Sequence, residues 1–218
     1  MMLMSDKPDK PLLILDLDET LFHTTYDHEA ITRRHGVRPD FSFEGQYHTF
    51  KRPGVHAFID SVSAAWRLAV WTSATRDYAQ FMSERIFGDV PLDFIFDRRR
   101  CTRRRNFGSG MYHSNDVYMV KDLKKVKRLG YALDRMLLIE DRPENGERQY
   151  GNLVRVPAFY GDPNDTVLPR LASYLDTLVE VENFRSIEKR GWHNQVTDEK
   201  RDEPPSVPSM RTQGMRKS

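Results

Sequence analysis

Two carboxylates stand two residues apart in LLILDLDETLFHT at 12–24, where Asp16 and Asp18 follow an apolar run. In an extended chain their side chains face one way, and in a turn they are still neighbours. Like charges that close cannot both stay ionised unless a cation opposes them or one holds a proton. Both solutions suit phosphoryl transfer. A metal ion neutralises an attacking carboxylate and phosphoryl oxygens, and a protonated carboxyl can donate to a leaving oxygen. The plainer reading of such a pair is turn and helix-cap chemistry, which Asp, Glu and Thr all favour. Three further stretches shift the balance toward function: LAVW at 68–71 runs into Thr72, VYMV at 117–120 into Lys121, and LLI at 137–139 into Glu140 and Asp141.

Groups so distant in sequence need a scaffold that ends several strands at one place. The runs above, with LVRV at 153–156, are too short for amphipathic helices and read as strands. Between them, apolar residues recur at three- and four-residue steps over about 54–65, 75–86, 122–129 and 165–181, the signature of helices. Strands alternating with helices predict an α/β fold around a mostly parallel sheet. In such sheets ligands bind beyond the carboxyl ends of the strands, so polar residues at four strand ends imply one shared site.

Lys and Arg total 34 against 32 Asp and Glu, and the net charge of +2 gives no global field of the kind that marks a nucleic-acid binder. A single cysteine, Cys101, excludes an internal disulfide and a thiolate-rich zinc site and fits a reducing compartment. No apolar run approaches the roughly 20 residues of a membrane span, and the amino terminus lacks a secretory signal. An intracellular location is expected, cytoplasmic, or nuclear in a eukaryote. Residues 1–10 read as a disordered lead-in, 11–190 as one domain, and 191–218, rich in Pro, Ser and charge, as a flexible tail.

The motifs resemble those of the haloacid dehalogenase superfamily of aspartate-nucleophile phosphatases, whose first motif has the form DxDx(T/V). The resemblance is closer to the branch acting on the C-terminal domain of RNA polymerase II, the small CTD phosphatase or NLI-interacting-factor-like branch. The strings that carry it are DLDETLFHT, KRPGVHAFI at 51–59, VWTSATRDYA at 70–79, VKDL at 120–123 and LLIEDRP at 137–143. Together they cover about residues 11–180. The Glu140-Asp141 pair departs from that branch, which usually carries Asp-Asn there, and is closer to the acidic pair of the wider superfamily.

The resemblance implies a Rossmann-like fold without a large cap domain, with a small β insert, about 95–118, between the Thr72 and Lys121 motifs. It implies that Asp16 attacks phosphorus to form an aspartyl-phosphate, and that Asp18 protonates the leaving alkoxide and later deprotonates water. Thr72 would hydrogen-bond a phosphoryl oxygen, although a structural Thr capping the next helix is the rival explanation. Lys121 would place a cation beside Asp16 and the phosphoryl group. Asp16, Asp18, Asp141 and Glu140 form the expected Mg²⁺ site, with Asp141 a direct ligand and Glu140 behind it or acting through water, an order open to exchange. In DRRRCTRRR at 97–105, Arg98 stands where the family places a phosphate-gripping Arg, with a solvated basic loop as the competing reading. Arg52 is read as structural.

The function expected is therefore a Mg²⁺-dependent phosphomonoester phosphatase acting on phosphoserine or phosphothreonine in an extended protein segment, since the intervals between motifs are too short to enclose a small metabolite. One alternative keeps the chemistry and removes a terminal phosphate from a polynucleotide. Another is an inactive phosphopeptide-binding scaffold.

Overall fold

The structure, a computed structural model, describes residues 10–105 and 117–194. Along the chain the elements are β1 (Leu12–Leu15), β2 (Phe22–Thr25), α1 (His28–His35), β3 (Phe41–Phe43), β4 (Tyr47–Lys51), α2 (Val55–Ala65), β5 (Arg67–Trp71), α3 (Arg76–Phe87), β6 (Leu92–Phe96), β7 (Thr102–Arg105), β8 (Val117–Val120), α4 (Lys124–Lys127), β9 (Met136–Glu140), β10 (Leu153–Arg155) and α5 (Val167–Asp176). Short 3-10 turns occupy 98–100, 133–135, 143–152, 184–186 and 192–194.

The core is a five-stranded sheet in the order β10-β9-β1-β5-β6, with every pairing parallel. A central parallel strand is covered on both faces, which is why LLIL reads as an unbroken apolar run. Leu13 and Leu15 face one cluster, built with Val55, Phe58 and Val62 of α2, Met82 and Ile86 of α3, and Leu168, Leu171 and Leu175 of α5. Leu12 and Ile14 face the other, with Trp71, Leu138, Leu123 and Val126. The α/β expectation with a parallel sheet holds, and no large cap domain is present among the described residues.

Several expectations need correction. VYMV is a strand, but it pairs antiparallel with β7 in a separate two-stranded sheet rather than joining the parallel one. An apolar run of four cannot report which neighbour it finds, and here its partner is the arginine strand TRRR. The helix expected over 122–129 is a single turn, α4, because the chain breaks at Gly130 with φ +100°. That expected over 165–181 ends at Asp176. A second sheet, β2-β4-β3, and helix α1 fill residues 22–51, where nothing was expected. The boundary set at Gly191 comes too early: Trp192 is buried and stacks on Tyr174 at 5.5 Å between ring centroids. The expected lead-in, apart from Lys10, the middle of the insert and the remainder of the tail lie outside the described residues.

Candidate active site

Register alone brings the two acidic motifs together. Leu15 of β1 lies opposite Ile139 of β9, and the Asp16 N–H extends that ladder by donating to the Ile139 carbonyl at 3.0 Å. Asp16 thus stands beside Glu140, the last residue of β9. On the other side Leu15 lies opposite Val70, so β5 delivers Thr72 to the same end of the sheet. After Asp16 the fully buried Leu17 anchors a turn in which the N–H groups of Thr20 and Leu21 both donate to the Leu17 carbonyl, and Glu19 adopts a left-handed φ of 57°. This reversal turns the Asp18 side chain toward Tyr78 while leaving it near enough to feel Lys121 and to act on Asp16.

Lys121 arrives from β8, outside the parallel sheet. Its N–H donates to the Asn145 carbonyl at 2.7 Å, which ties the end of β8 to the turn following β9. The fully buried ammonium donates to Asp16 Oδ1 at 2.5 Å and to Glu140 Oε2 at 2.6 Å. Glu140, also fully buried, accepts the Arg142 N–H on Oε1 at 3.2 Å. Two carboxylates and one ammonium out of water form an arrangement in which each charge depends on the others.

Asp16, Glu140 and Asp141 each present a carboxylate oxygen within 4.8 Å of the other two. Burial, then the charge of Glu140, pushes the Asp16 carboxyl well above the usual carboxylate range, against the pull of Lys121. Burial and a hydrogen bond to Glu140 push Asp141 up to about 7. Burial acts the same way on Glu140, but Lys121, Asp141 and the Arg142 N–H together outweigh it and hold that carboxyl low. One cation, Lys121, does not satisfy three clustered carboxylates. An all-oxygen donor set that still lacks positive charge fits a hard divalent cation such as Mg²⁺. Glu140 is engaged by Lys121 and Arg142, so Asp16 and Asp141 have the freer oxygens to offer.

The Asp18 side chain stands apart from this cluster. Its Oδ1 accepts from the Tyr78 hydroxyl at 2.6 Å, and burial pushes its carboxyl up to about 6 against the effect of that bond. Of the four residues expected to hold the metal, Asp16, Glu140 and Asp141 have carboxylates that meet, and Asp18 is the one whose side chain lies outside that group. Thr72 Oγ1 accepts from the Ala74 N–H at 3.0 Å in a local turn ahead of α3, whose N-cap is Thr75 and not Thr72 as the capping alternative required, and the Thr72 hydroxyl proton is left to donate. Arg98 is exposed, and its described bonds are made by the backbone, its N–H donating to the Ala74 carbonyl at 3.0 Å and its carbonyl accepting the Cys101 N–H at 3.1 Å. Cys101 lies against the Thr72 carbonyl with its thiol pushed up by burial, a packing role. Arg52 is structural: its guanidinium is buried and forked onto Asp165. Sequence reasoning missed Tyr78, which sits on α3 and faces Asp18 across the sheet end. A buried Tyr hydroxyl needs a partner, and that is the signal that could have found it.

A family model for NLI interacting factor-like phosphatases matches residues 11–185. The chain belongs to that family. The CTD nuclear envelope phosphatase 1 of Xenopus tropicalis is 28% identical over 194 residues, covering 84% of this chain and 73% of that protein. Nuclear envelope morphology protein 1 of Saccharomyces cerevisiae is 27% identical over 187 residues, and the match covers 82% of this chain but 41% of the yeast protein. A putative CTD phosphatase-like protein of Invertebrate iridescent virus 3 is 26% identical and is covered over 96% of its length. Among solved structures, the fission yeast RNA polymerase II CTD phosphatase Fcp1 bound to beryllium fluoride aligns at a TM-score of 0.49 with 20% identity, over 85% of this chain and 54% of that one. The NLI interacting factor-like match takes in all the strings that carried the resemblance, from DLDETL to LLIEDRP.

Proposed function

We propose that this chain hydrolyses phosphomonoesters through an aspartyl-phosphate on Asp16, and that its substrates are phosphoserine or phosphothreonine side chains in protein segments. The observation that carries the reading is the division of labour between two carboxyls of one motif: Asp16 held beside Lys121 in the acidic cluster, and Asp18 held on Tyr78 with its carboxyl pushed up to about 6. CTD phosphatases among the relatives support the choice of a protein substrate. The nuclear envelope named in two of them supports work in or beside a nucleus.

Asp16 and Asp141 would hold Mg²⁺, with Glu140 behind them. The ion would supply neutralisation of the attacking carboxylate and the phosphoryl oxygens. The chain's own groups do the rest. An Asp16 oxygen forms a bond to phosphorus as the bond to the serine or threonine oxygen breaks, and Asp18 gives its proton to that oxygen. A water then attacks phosphorus while Asp18 takes its proton. The bond from Asp16 to phosphorus breaks, returning the carboxylate and releasing inorganic phosphate. The Lys121 ammonium holds Asp16 in place and offsets charge on the transferring group. Thr72 and Arg98 are the proposed donors to phosphoryl oxygens.

The test is turnover of an aryl phosphate and a phosphopeptide panel with and without Mg²⁺. Asp16→Asn is expected to lower turnover on the order of 10³-fold or more, since the nucleophile is part of an interdependent unit. Retention of full rate by Asp16→Asn ends the proposal. The exposed arginines at 98–100 and 103–105 favour one other reading, removal of a terminal phosphate from a polynucleotide. Inhibition by DNA or RNA that weakens steeply with salt would select it.

A further inference from the structure

The bond that holds Asp18 is one end of a chain of hydroxyls. Tyr78 Oη lies 2.6 Å from Asp18 Oδ1 and 3.0 Å from Thr24 Oγ1, and Thr24 Oγ1 lies 3.0 Å from Thr49 Oγ1. Thr49 is fully buried and Tyr78 nearly so. The members come from separate elements: Asp18 from the turn after β1, Tyr78 from α3, and Thr24 and Thr49 from β2 and β4, opposite each other in the register of the second sheet. Tyr78 has one proton to give. Against an ionised Asp18 that proton belongs to the carboxylate, and Thr24 then turns its own proton toward Tyr78 or Thr49.

We propose that Tyr78, backed by Thr24 and Thr49, is the positioning residue that keeps Asp18 out of the acidic cluster and presents it to the leaving oxygen. The inference rests on the acid role assigned above to Asp18. The reason for such a device lies in distance. Asp18 is two residues from Asp16 and carries the same ligand chemistry, so without a donor elsewhere its carboxylate competes for whatever cation the cluster holds. A hydroxyl fixed on a helix and braced by the half-buried Thr24 and the buried Thr49 sets both direction and reach, as a preorganised supporting contact does. The second sheet, with no expected role in the sequence reading, thereby becomes part of the acid's support as well as a wall beside it.

The readout is leaving-group dependence, because a general acid matters for an alkoxide and little for an oxygen that departs unaided. Kinetics are measured in Mg²⁺ on a phosphoserine peptide and on dinitrophenyl phosphate, for wild type, Tyr78→Phe, Thr24→Val, Thr24→Ser and Asp18→Asn. General acid catalysis typically contributes about 10²–10⁴-fold, so partial loss of aim in Tyr78→Phe is expected to lower kcat on the peptide by about 10-fold or more. Its KM on the peptide stays within about 2-fold, and its kcat/KM on dinitrophenyl phosphate, which reports the first displacement and not the later attack of water that all substrates share, stays near wild type. Thr24→Val is expected to move the same way by less, and Thr24→Ser, which keeps the hydroxyl, to restore the wild-type ratio. Equal loss of kcat/KM on both substrates, or a change in KM alone, overturns the positioning role, since a packing defect or a lost substrate contact behaves in that way. If Asp18→Asn shows a steep dependence and Tyr78→Phe a flat one, only this inference falls. If Asp18→Asn is itself flat, the acid role beneath it falls.

Discussion

Lys121 and Tyr78 hold two carboxyls of one motif by different means, and the difference is visible in charge. Asp16 is paired with an ammonium, whereas Asp18 accepts from a neutral hydroxyl and feels the Lys121 charge without a direct bond to it. Its carboxyl is pushed from 3.8 to about 6 by burial. A folded-state value above the unfolded one means that the folded protein binds more protons between pH 3.8 and 6, so this contribution is fully present below 3.8 and is lost as pH rises through 6. The loss amounts to about 3 kcal/mol at pH 7.5. Asp18→Asn keeps an acceptor for Tyr78 and removes the buried charge. In chelator, the variant is expected to be more stable than wild type at pH 7.5 and nearly equal to it at pH 4, as read from urea midpoints. A difference that does not change with pH would contradict the shift. Legibility at this scale follows the chemistry. Asp16, Thr72, Lys121 and the Glu140-Asp141 pair announce themselves by ending strands. Tyr78 does not, because its partner Thr24 lies 54 residues away and on a sheet that no apolar run revealed.

Among the elements, β1, β5 and β9 were readable because a strand covered on both faces must be apolar throughout. Strands β2, β3 and β4 were not, since FHTT, FSF and YHTFK mix polar and aromatic residues over three to five positions and lie only partly buried. Arg52, which follows directly on β4, joins this sheet to the rest. Its guanidinium donates to the Thr20 carbonyl at 3.0 Å, to the Pro157 carbonyl at 2.9 Å and to both oxygens of Asp165 at 2.9 and 2.8 Å. Asp165 Oδ1 also accepts the Val167 N–H at the start of α5. One side chain therefore fastens the turn after Asp18, the segment beyond β10 and the entry to α5. Replacing Asp165 by Asn keeps the shape and leaves a buried guanidinium without its counter-charge, and breaking a buried pair in this way costs about 3 kcal/mol. Chemical denaturation should show that loss. Arg52→Lys should not behave as wild type, because a single ammonium cannot reproduce the fork. An Asp165→Asn protein of unchanged stability would show that the fork is dispensable.

At the scale of the molecule, the edge of the sheet beside β9 is closed by contacts that reach past the point where composition turns polar. HNQVTDEKRDEPPS reads as tail, and a lone Trp before it carries little weight in any compositional window. Yet Trp192 stacks on Tyr174 of α5, its ring N–H donates to the Arg155 carbonyl of β10 at 2.7 Å, and Arg170 of α5 reaches the His193 carbonyl. It thus joins α5 to the edge strand beside β9, the strand whose end is Glu140. A large buried aromatic cut to Ala costs about 3–5 kcal/mol, which in a domain of this size lowers Tm by about 10 °C. Trp192→Ala is expected to show that drop in a thermal melt, and a chain ending at Arg190 to melt at least as far below one ending at Asn194. The loosened β10 edge adjoins the site, so kcat at a temperature below both transitions should fall less than stability does, the register of β1 on β9 being set by the sheet itself. Equal melting of the Arg190 and Asn194 chains would place the domain's edge back where composition put it.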